Sequence, residues 1–127
     1  MKTFICCCGN TLHFENTQCL GCGRRVAFLP DALVVAALEP LAAQGLRALL
    51  PWPWDVRYRP CRNDTDYQVC NWVVRDDDAE AYCVSCRLNR VIPDLSSARN
   101  VQLWRRIEDA KRRLMYTVLR LGLPFVG

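Results

Sequence analysis

The segment CRNDTDYQVCNWVVRDDDAEAYCVSC, residues 61–86, decides how the chain is read. It gathers Cys61, Cys70, Cys83 and Cys86 in one short span, the last two as a Cys-x-x-Cys pair. Four thiols grouped in this way suit one tetrahedral Zn2+. Thiolates satisfy a d10 ion that imposes no geometry of its own, and four protein ligands leave no position for water or substrate. Such a centre builds structure and does no chemistry. Residues 67–74 are aromatic and β-branched, which predicts a strand carrying Cys70, with Cys83 and Cys86 closing the site from a turn. The Cys83-x-x-Cys86 pair alone would also fit a redox motif. That reading needs the pair at the start of a helix in a βαβ setting, and the surrounding sequence lacks one.

A second cysteine group lies near the N-terminus. Cys6-Cys7-Cys8-Gly9 and Cys19-Leu20-Gly21-Cys22-Gly23 are separated by a segment short enough for a hairpin, the signature of a zinc ribbon. Gly9 and Gly23 each follow a cluster, where the chain turns its amides toward sulfur and needs a residue that tolerates positive φ. The ligands on this reading are Cys6, Cys8, Cys19 and Cys22. Cys7 is the odd thiol, with Cys7 and Cys8, leaving Cys6 spare, as the alternative. His13, the only histidine, could also ligate. It sits between Leu12 and Phe14, and a surface or packing role is favoured because four sulfurs already suffice. The cofactor expectation is two Zn2+ per chain.

Nine cysteines in 127 residues are too many for an ordinary domain of this length, and an odd count is what two four-cysteine sites plus one free thiol would give. A secreted disulfide scaffold is disfavoured because no apolar signal core follows Met1-Lys2, so a cytoplasmic location is expected. The formal charge of +4 disappears once eight thiolates and two dications are included. No apolar run approaches the roughly 20 residues that span a bilayer. The longest candidate, residues 32–38, stops at Glu39-Pro40, so no membrane segment is expected.

The aliphatic run 32–38 reads as a buried strand or a helical turn, with Val34-Val35 and the bounding prolines favouring the strand. Residues 41–50 read as a short helix. Pro51-Trp52-Pro53-Trp54 then forces an extended segment whose tryptophans could form a binding surface, although such residues more often cover a small core. Asp76-Asp77-Asp78-Ala79-Glu80 lacks the spacing and central glycine of a calcium loop and reads as a solvated turn. The last segment is a helix capped by Asn100 and ended by Gly122 and Pro124. Leu103, Trp104, Ile107, Ala110, Leu114, Val118 and Leu121 recur along it at three- and four-residue steps as one apolar stripe. Arg105, Arg106, Lys111, Arg112, Arg113 and Arg120 form a basic face. That face could serve nucleic acid, but charges opposite an apolar stripe are usually a solvated surface.

Several of these motifs also carry a family resemblance. Cys8-Gly9-Asn10, Phe14-Glu15-Asn16-Thr17, Cys19-x-x-Cys22-Gly23, Phe28-Leu29-Pro30-Asp31, Cys70-Asn71-Trp72, Cys83-x-x-Cys86-Arg87-Leu88-Asn89, Ile92-Pro93-Asp94-Leu95 and Ala110-Lys111-Arg112-Arg113-Leu114 together resemble the N-terminal zinc-ribbon region of a bacterial family of zincin-like, zinc-binding metallopeptidases. The match runs nearly end to end, although the first knuckle is contracted here to Cys6-x-Cys8. In that family the region precedes a catalytic domain with a His-Glu-x-x-His helix, and Leu121-Gly122-Leu123-Pro124 resembles the junction. This sequence holds one histidine and no His-Glu-x-x-His. The resemblance therefore implies a metallopeptidase context without catalytic residues at any position here.

The expected architecture is small α+β, with two zinc-ribbon-like β modules of rubredoxin-type knuckles and a C-terminal amphipathic helix. Its divisions are an N-terminal ribbon over 1–29, a β-rich segment with the second site over 30–95, and the helix and junction over 96–127. The expected function is a non-catalytic structural zinc module that binds a protein partner or a C-terminal domain. The alternative is a nucleic-acid-binding ribbon using the basic helix face. A monomer is favoured over a dimer, with residues 34–50 covering the helix stripe.

Overall fold

A computed structural model describes residues 2–42, 44–88 and 94–123. Asn89, Ile92 and Pro93 of the resemblance motifs, and the helix-ending Pro124, lie outside these described residues. The chain opens with a ribbon in which β1 (Phe4–Ile5) pairs antiparallel with β2 (Thr11–Leu12). Five strands follow in a second sheet, β3 (Val26–Leu29), β4 (Val34–Pro40), β5 (Leu46–Ala48), β6 (Arg57–Pro60) and β7 (Val73–Arg75), and from β4 onward each pairs antiparallel with its predecessor. A short helix α1 (Arg62–Tyr67) lies between β6 and β7. A 3-10 turn spans Cys86–Leu88, and the long helix α2 (Ala98–Leu121) comes last. Among the described residues no helix is long and apolar enough to cross a membrane.

The sheet curls until its ends meet. The Phe28 N–H donates to the Asn71 carbonyl at 2.9 Å, and Phe28 bridges Trp72 in parallel. The apolar run at 32–38 falls largely within strand β4, and it shows no period of two because both faces of the sheet are covered. Val26, Phe28, Val35 and Ala37 face one core with Phe4, Phe14, Trp72 and Tyr116. Ala27, Leu29, Ala36 and Leu38 face another with Leu46, Ala48, Tyr58 and Val73. The buried Tyr58 hydroxyl donates to Asp31 Oδ1 at 2.8 Å and accepts from Trp54 Nε1 at 2.8 Å. Trp54 thus packs on this second core, as expected, whereas Trp52 is 44% exposed.

Two local expectations are corrected. Residues 41–50 hold strand β5 rather than a helix. Leu46 and Ala48 are buried around an exposed Arg47, and the strand pairs with neighbours on both sides, satisfying backbone groups that a very short helix would leave largely to water. Residues 67–74 are not one strand. Helix α1 ends at Tyr67, Gln68 turns left-handed at φ 56°, and only Val73–Arg75 joins the sheet. The Cys61 carbonyl accepts the N–H groups of Asp64 and Thr65 at 2.9 and 3.2 Å, so the strand-averse Asn63-Asp64-Thr65-Asp66 winds into a turn.

Helix α2 starts before its expected cap. Ser97 caps it, and the Ser97 Oγ accepts the Asn100 N–H at 3.4 Å. Gly122 ends it at φ 68°, as expected. The buried face differs from the expected stripe. Trp104, Glu108, Arg112, Met115 and Tyr116 are buried, while Leu103, Ile107, Leu114 and Leu121 are 43%, 66%, 63% and 66% exposed. Residues 34–50 therefore do not cover the stripe. The body of the protein offers this helix aromatic rings and bare carbonyls instead of an aliphatic groove. Tyr116 places its ring 5.3 Å from Phe14 and 5.6 Å from Phe28, and such pairs add about 0.5–1.5 kcal/mol beyond their area. Arg105 and Arg112 donate to the carbonyls of Gln68 and Val69 at 2.6 and 2.7 Å. Arg112, expected on the solvated basic face, is 1% exposed.

Tyr116→Ala should therefore destabilise the zinc-loaded chain by about 3–5 kcal/mol in denaturant unfolding. Ile107→Ser or Leu114→Ser should change stability by no more than about 0.5 kcal/mol. Equal losses from the two classes of variant would return the packed face to the aliphatic stripe.

Candidate metal centres

The first centre is built by two tight turns at the ends of the ribbon. The Gly9 N–H closes on the Cys6 carbonyl at 2.8 Å and the Gly23 N–H on the Cys19 carbonyl at 2.8 Å, with both glycines at positive φ, 92° and 77°. These turns bring the sulfurs of Cys6, Cys8, Cys19 and Cys22 within 4.8 Å of one another. Cys6 and Cys22 are 3.7 Å apart and Cys8 and Cys19 3.6 Å. A tetrahedron with Zn–S bonds of about 2.3 Å has edges of about 3.8 Å, whereas a disulfide needs about 2.05 Å. The spacing is that of a metal cage, and all nine cysteines are free thiols. Cys7 is exposed, with its sulfur 4.0 Å from that of Cys6, and it stands outside the group. His13 is also exposed and outside it, with its backbone N–H on Asn16 Oδ1 at 2.7 Å.

Electrostatics favour the metal-binding thiolate at two of these sulfurs, while burial pushes the Cys6 thiol up. The backbone N–H of Cys22, then that of Gly21, draws the Cys19 thiol down to about 6. The Arg24 backbone N–H and guanidinium lower Cys22. Both shifts work toward metal uptake at neutral pH, since zinc takes the deprotonated sulfur.

The second centre unites Cys61, Cys70, Cys83 and Cys86, again within 4.8 Å of one another and all buried. Cys70 and Cys83 are 3.7 Å apart. This centre is not a second β-ribbon. Cys61 sits at the N-cap of α1, Cys70 follows that helix, and Cys83 and Cys86 lead into the 3-10 turn. Backbone amides of Trp72, Cys83 and Cys86 point at the sulfurs of Cys70, Cys61 and Cys83, each at 3.4 Å. Hydrogen bonds from Cys70, Cys83 and Cys86 hold Cys61 down, while burial pushes Cys83 up. Four thiols packed this closely cannot all ionise without a cation among them.

Four features whose structural role the sequence does not show hold this centre in place. Arg59 wraps the acidic loop, donating to the carbonyls of Arg75 at 2.9 Å and Asp76 at 3.3 Å and to those of Asp78 and Glu80. Asp78 pairs with Arg87 at 3.0 Å, so the expected solvated turn is strapped beside Cys83 and Cys86. Asn71, next to Cys70, donates through Nδ2 to the carbonyls of Phe14 at 2.8 Å and Asn16 at 3.0 Å, tying this centre to the ribbon. Arg112 supplies a buried positive charge. It is paired with Asp109, and its Nη1 is buried without a hydrogen-bond partner among the described residues. Burial would lower its pKa, but the charges of Cys70, Asp109 and Cys86 prevail and raise it. A Zn2+ with four thiolates carries a net charge of −2, and a guanidinium is a fitting neighbour for it.

A zinc-ribbon domain model matches residues 3–97, a span that takes in both groups. With the two four-cysteine groups, this fits two Zn2+ per chain. Uncharacterized proteins of Mycobacterium bovis and of two Mycobacterium tuberculosis strains are each 34% identical to this chain over 128 residues, covering 100% of it and 33% of their own length. The chain thus spans about a third of the length of these curated relatives. No solved structure matches it.

Native mass spectrometry of chain purified without chelator should show two zinc ions, and X-ray absorption a sulfur-only shell at about 2.3 Å. Cys7→Ser should keep both ions and Cys8→Ser lose one. A nitrogen or oxygen neighbour, or zinc lost from Cys7→Ser, would break this ligand assignment. Arg112→Met should weaken zinc retention against a competing chelator by about 10–100-fold at one site only. Unchanged retention would leave Arg112 a packing residue.

Proposed function

Since the chain belongs to the zinc-ribbon family, we propose that it is a structural zinc module that binds and positions protein. In this reading Cys6, Cys8, Cys19 and Cys22 hold one ion, and Cys61, Cys70, Cys83 and Cys86 the other. The observation that carries it is the closure of each group. Four sulfurs at tetrahedral spacing complete the coordination sphere, so no position is left for a water that zinc could activate or a carbonyl it could polarise. The single histidine lies outside both groups. A reducing, cytoplasmic setting suits nine free thiols.

We further place the module beside a zinc metallopeptidase domain. The motif resemblance is what supports that context, and the greater length of the relatives is compatible with it. A nucleic-acid role draws less support, because several arginines of the basic helix are already engaged by protein. Arg105 and Arg112 bond to carbonyls, and Arg113 pairs with Glu15.

Replacement of zinc by Co2+ tests closure directly. The protein should show the absorption of a tetrathiolate ion, unchanged by a hydroxamate inhibitor, and it should not cleave a peptide library. A hydroxamate-induced spectral shift, or cleavage that vanishes when a residue of this chain is mutated, would reveal an open, catalytic position.

A further inference from the structure

The outward side of α2 carries a pattern that neither metal centre uses. Leu103, Ile107, Ala110, Leu114, Thr117 and Leu121 follow one another at alternating four- and three-residue steps, and all six are exposed. This is the 3.5-residue period of a coiled-coil seam, narrower than the broad stripe of a helix laid on a globular core. The buried residues Trp104, Glu108, Arg112 and Met115 lie on the other side, so the described residues of the body leave the seam open along its length. Beside it run Arg99, Arg106, Arg113 and Arg120, one every seven residues and all exposed. These are the positions that select a partner by charge in a helix pair. Arg113 already meets one carboxylate there, that of Glu15.

We propose that this face of α2 is the docking surface for an acidic amphipathic helix of a partner protein, its apolar side against the leucine seam and its carboxylates against the arginine row. The charge pattern decides among occupants. A second copy laid antiparallel would set the arginine rows against each other, and a parallel copy would bring Arg106 toward Lys111, so self-pairing is repulsive in both directions. A bilayer surface calls for a wide apolar face with aromatic residues at its edge. The aromatic residues of this helix, Trp104 and Tyr116, are instead buried in the body. Nucleic acid would meet the arginines but leave the leucines in water.

The inference rests on the module's reading as a protein-binding scaffold and names the partner's chemistry. The test uses the zinc-loaded chain and two synthetic four-heptad peptides with leucine at both seam positions, one flanked by glutamate and one by lysine. The glutamate peptide should bind at least about tenfold more tightly, since like charges set side by side cost several kcal/mol, and added salt should weaken it. Ile107→Ser with Leu114→Ser should abolish binding. Arg106→Glu with Arg120→Glu should transfer preference to the lysine peptide. Zinc content and circular dichroism of each sample separate the two claims. Lost binding with both ions and the helix retained concerns this surface, whereas lost zinc concerns the scaffold. Equal affinity for both peptides, or for neither, overturns the proposal. So does a concentration-dependent dimer removed by the double serine variant, or preferential binding to anionic phospholipid vesicles or to duplex DNA.

Discussion

Four buried sulfurs within 4.8 Å of one another cannot all be thiolates without a metal. Ionised, they repel in a medium that screens poorly, and burial alone returns them to the neutral thiol. A dication at the centre reverses that balance. Zinc in such a site contributes about 10–16 kcal/mol of apparent binding free energy, comparable with the roughly 5–15 kcal/mol net stability of a whole domain. The second centre accordingly organises its surroundings. The turn of α1 brings Cys70 back toward Cys61, Arg59 straps the loop before Cys83, and Arg112 carries positive charge inward from α2.

Much of this was legible in the sequence because cysteine has few reasons to cluster. The groups around Cys6 and Cys61 were readable from spacing, the turns from Gly9 and Gly23, the strand near Val35 from its β-branched run, and the last helix from its periodicity. What the chain does not carry locally could not be read locally. Residues 46–48 become a strand because β4 and β6 flank them, although 41–50 taken alone looks helical. Cys70 follows a turn because the Cys61 carbonyl captures two amides, an event that β-propensity at residues 67–74 does not register.

The helix gives the sharper lesson. Periodicity finds an apolar face but does not say what that face meets. The facing surface here presents the Gln68 and Val69 carbonyls and an aromatic pocket, and it selects Arg105, Arg112 and Tyr116 in preference to the leucines. Arginine is mostly exposed in proteins, so sequence alone places Arg112 at the surface. Asn71 was legible only as a neighbour of Cys70. Its role depends on Phe14 and Asn16, which lie far from it in sequence.

The strand order has a consequence for how the molecule opens. Every strand-to-strand ladder in the sheet joins consecutive strands and closes a short loop, the link from Phe28 to Asn71 and Trp72 being the one long closure among the described residues, and loop-closure entropy rises with the logarithm of length. The bonds that seat α2 reach much further along the chain. Arg105 meets a residue 37 positions away, Arg112 one 43 away and Arg113 one 98 away. The helix thus hangs on long-range polar bonds and on the aromatic contacts of Trp104 with Tyr67 and of Tyr116 with Phe14 and Phe28, while the sheet is knitted mostly by hydrogen bonds between neighbouring strands. Such a molecule loosens from its C-terminal helix inward, with the curled sheet as the last part to lose its amide protection.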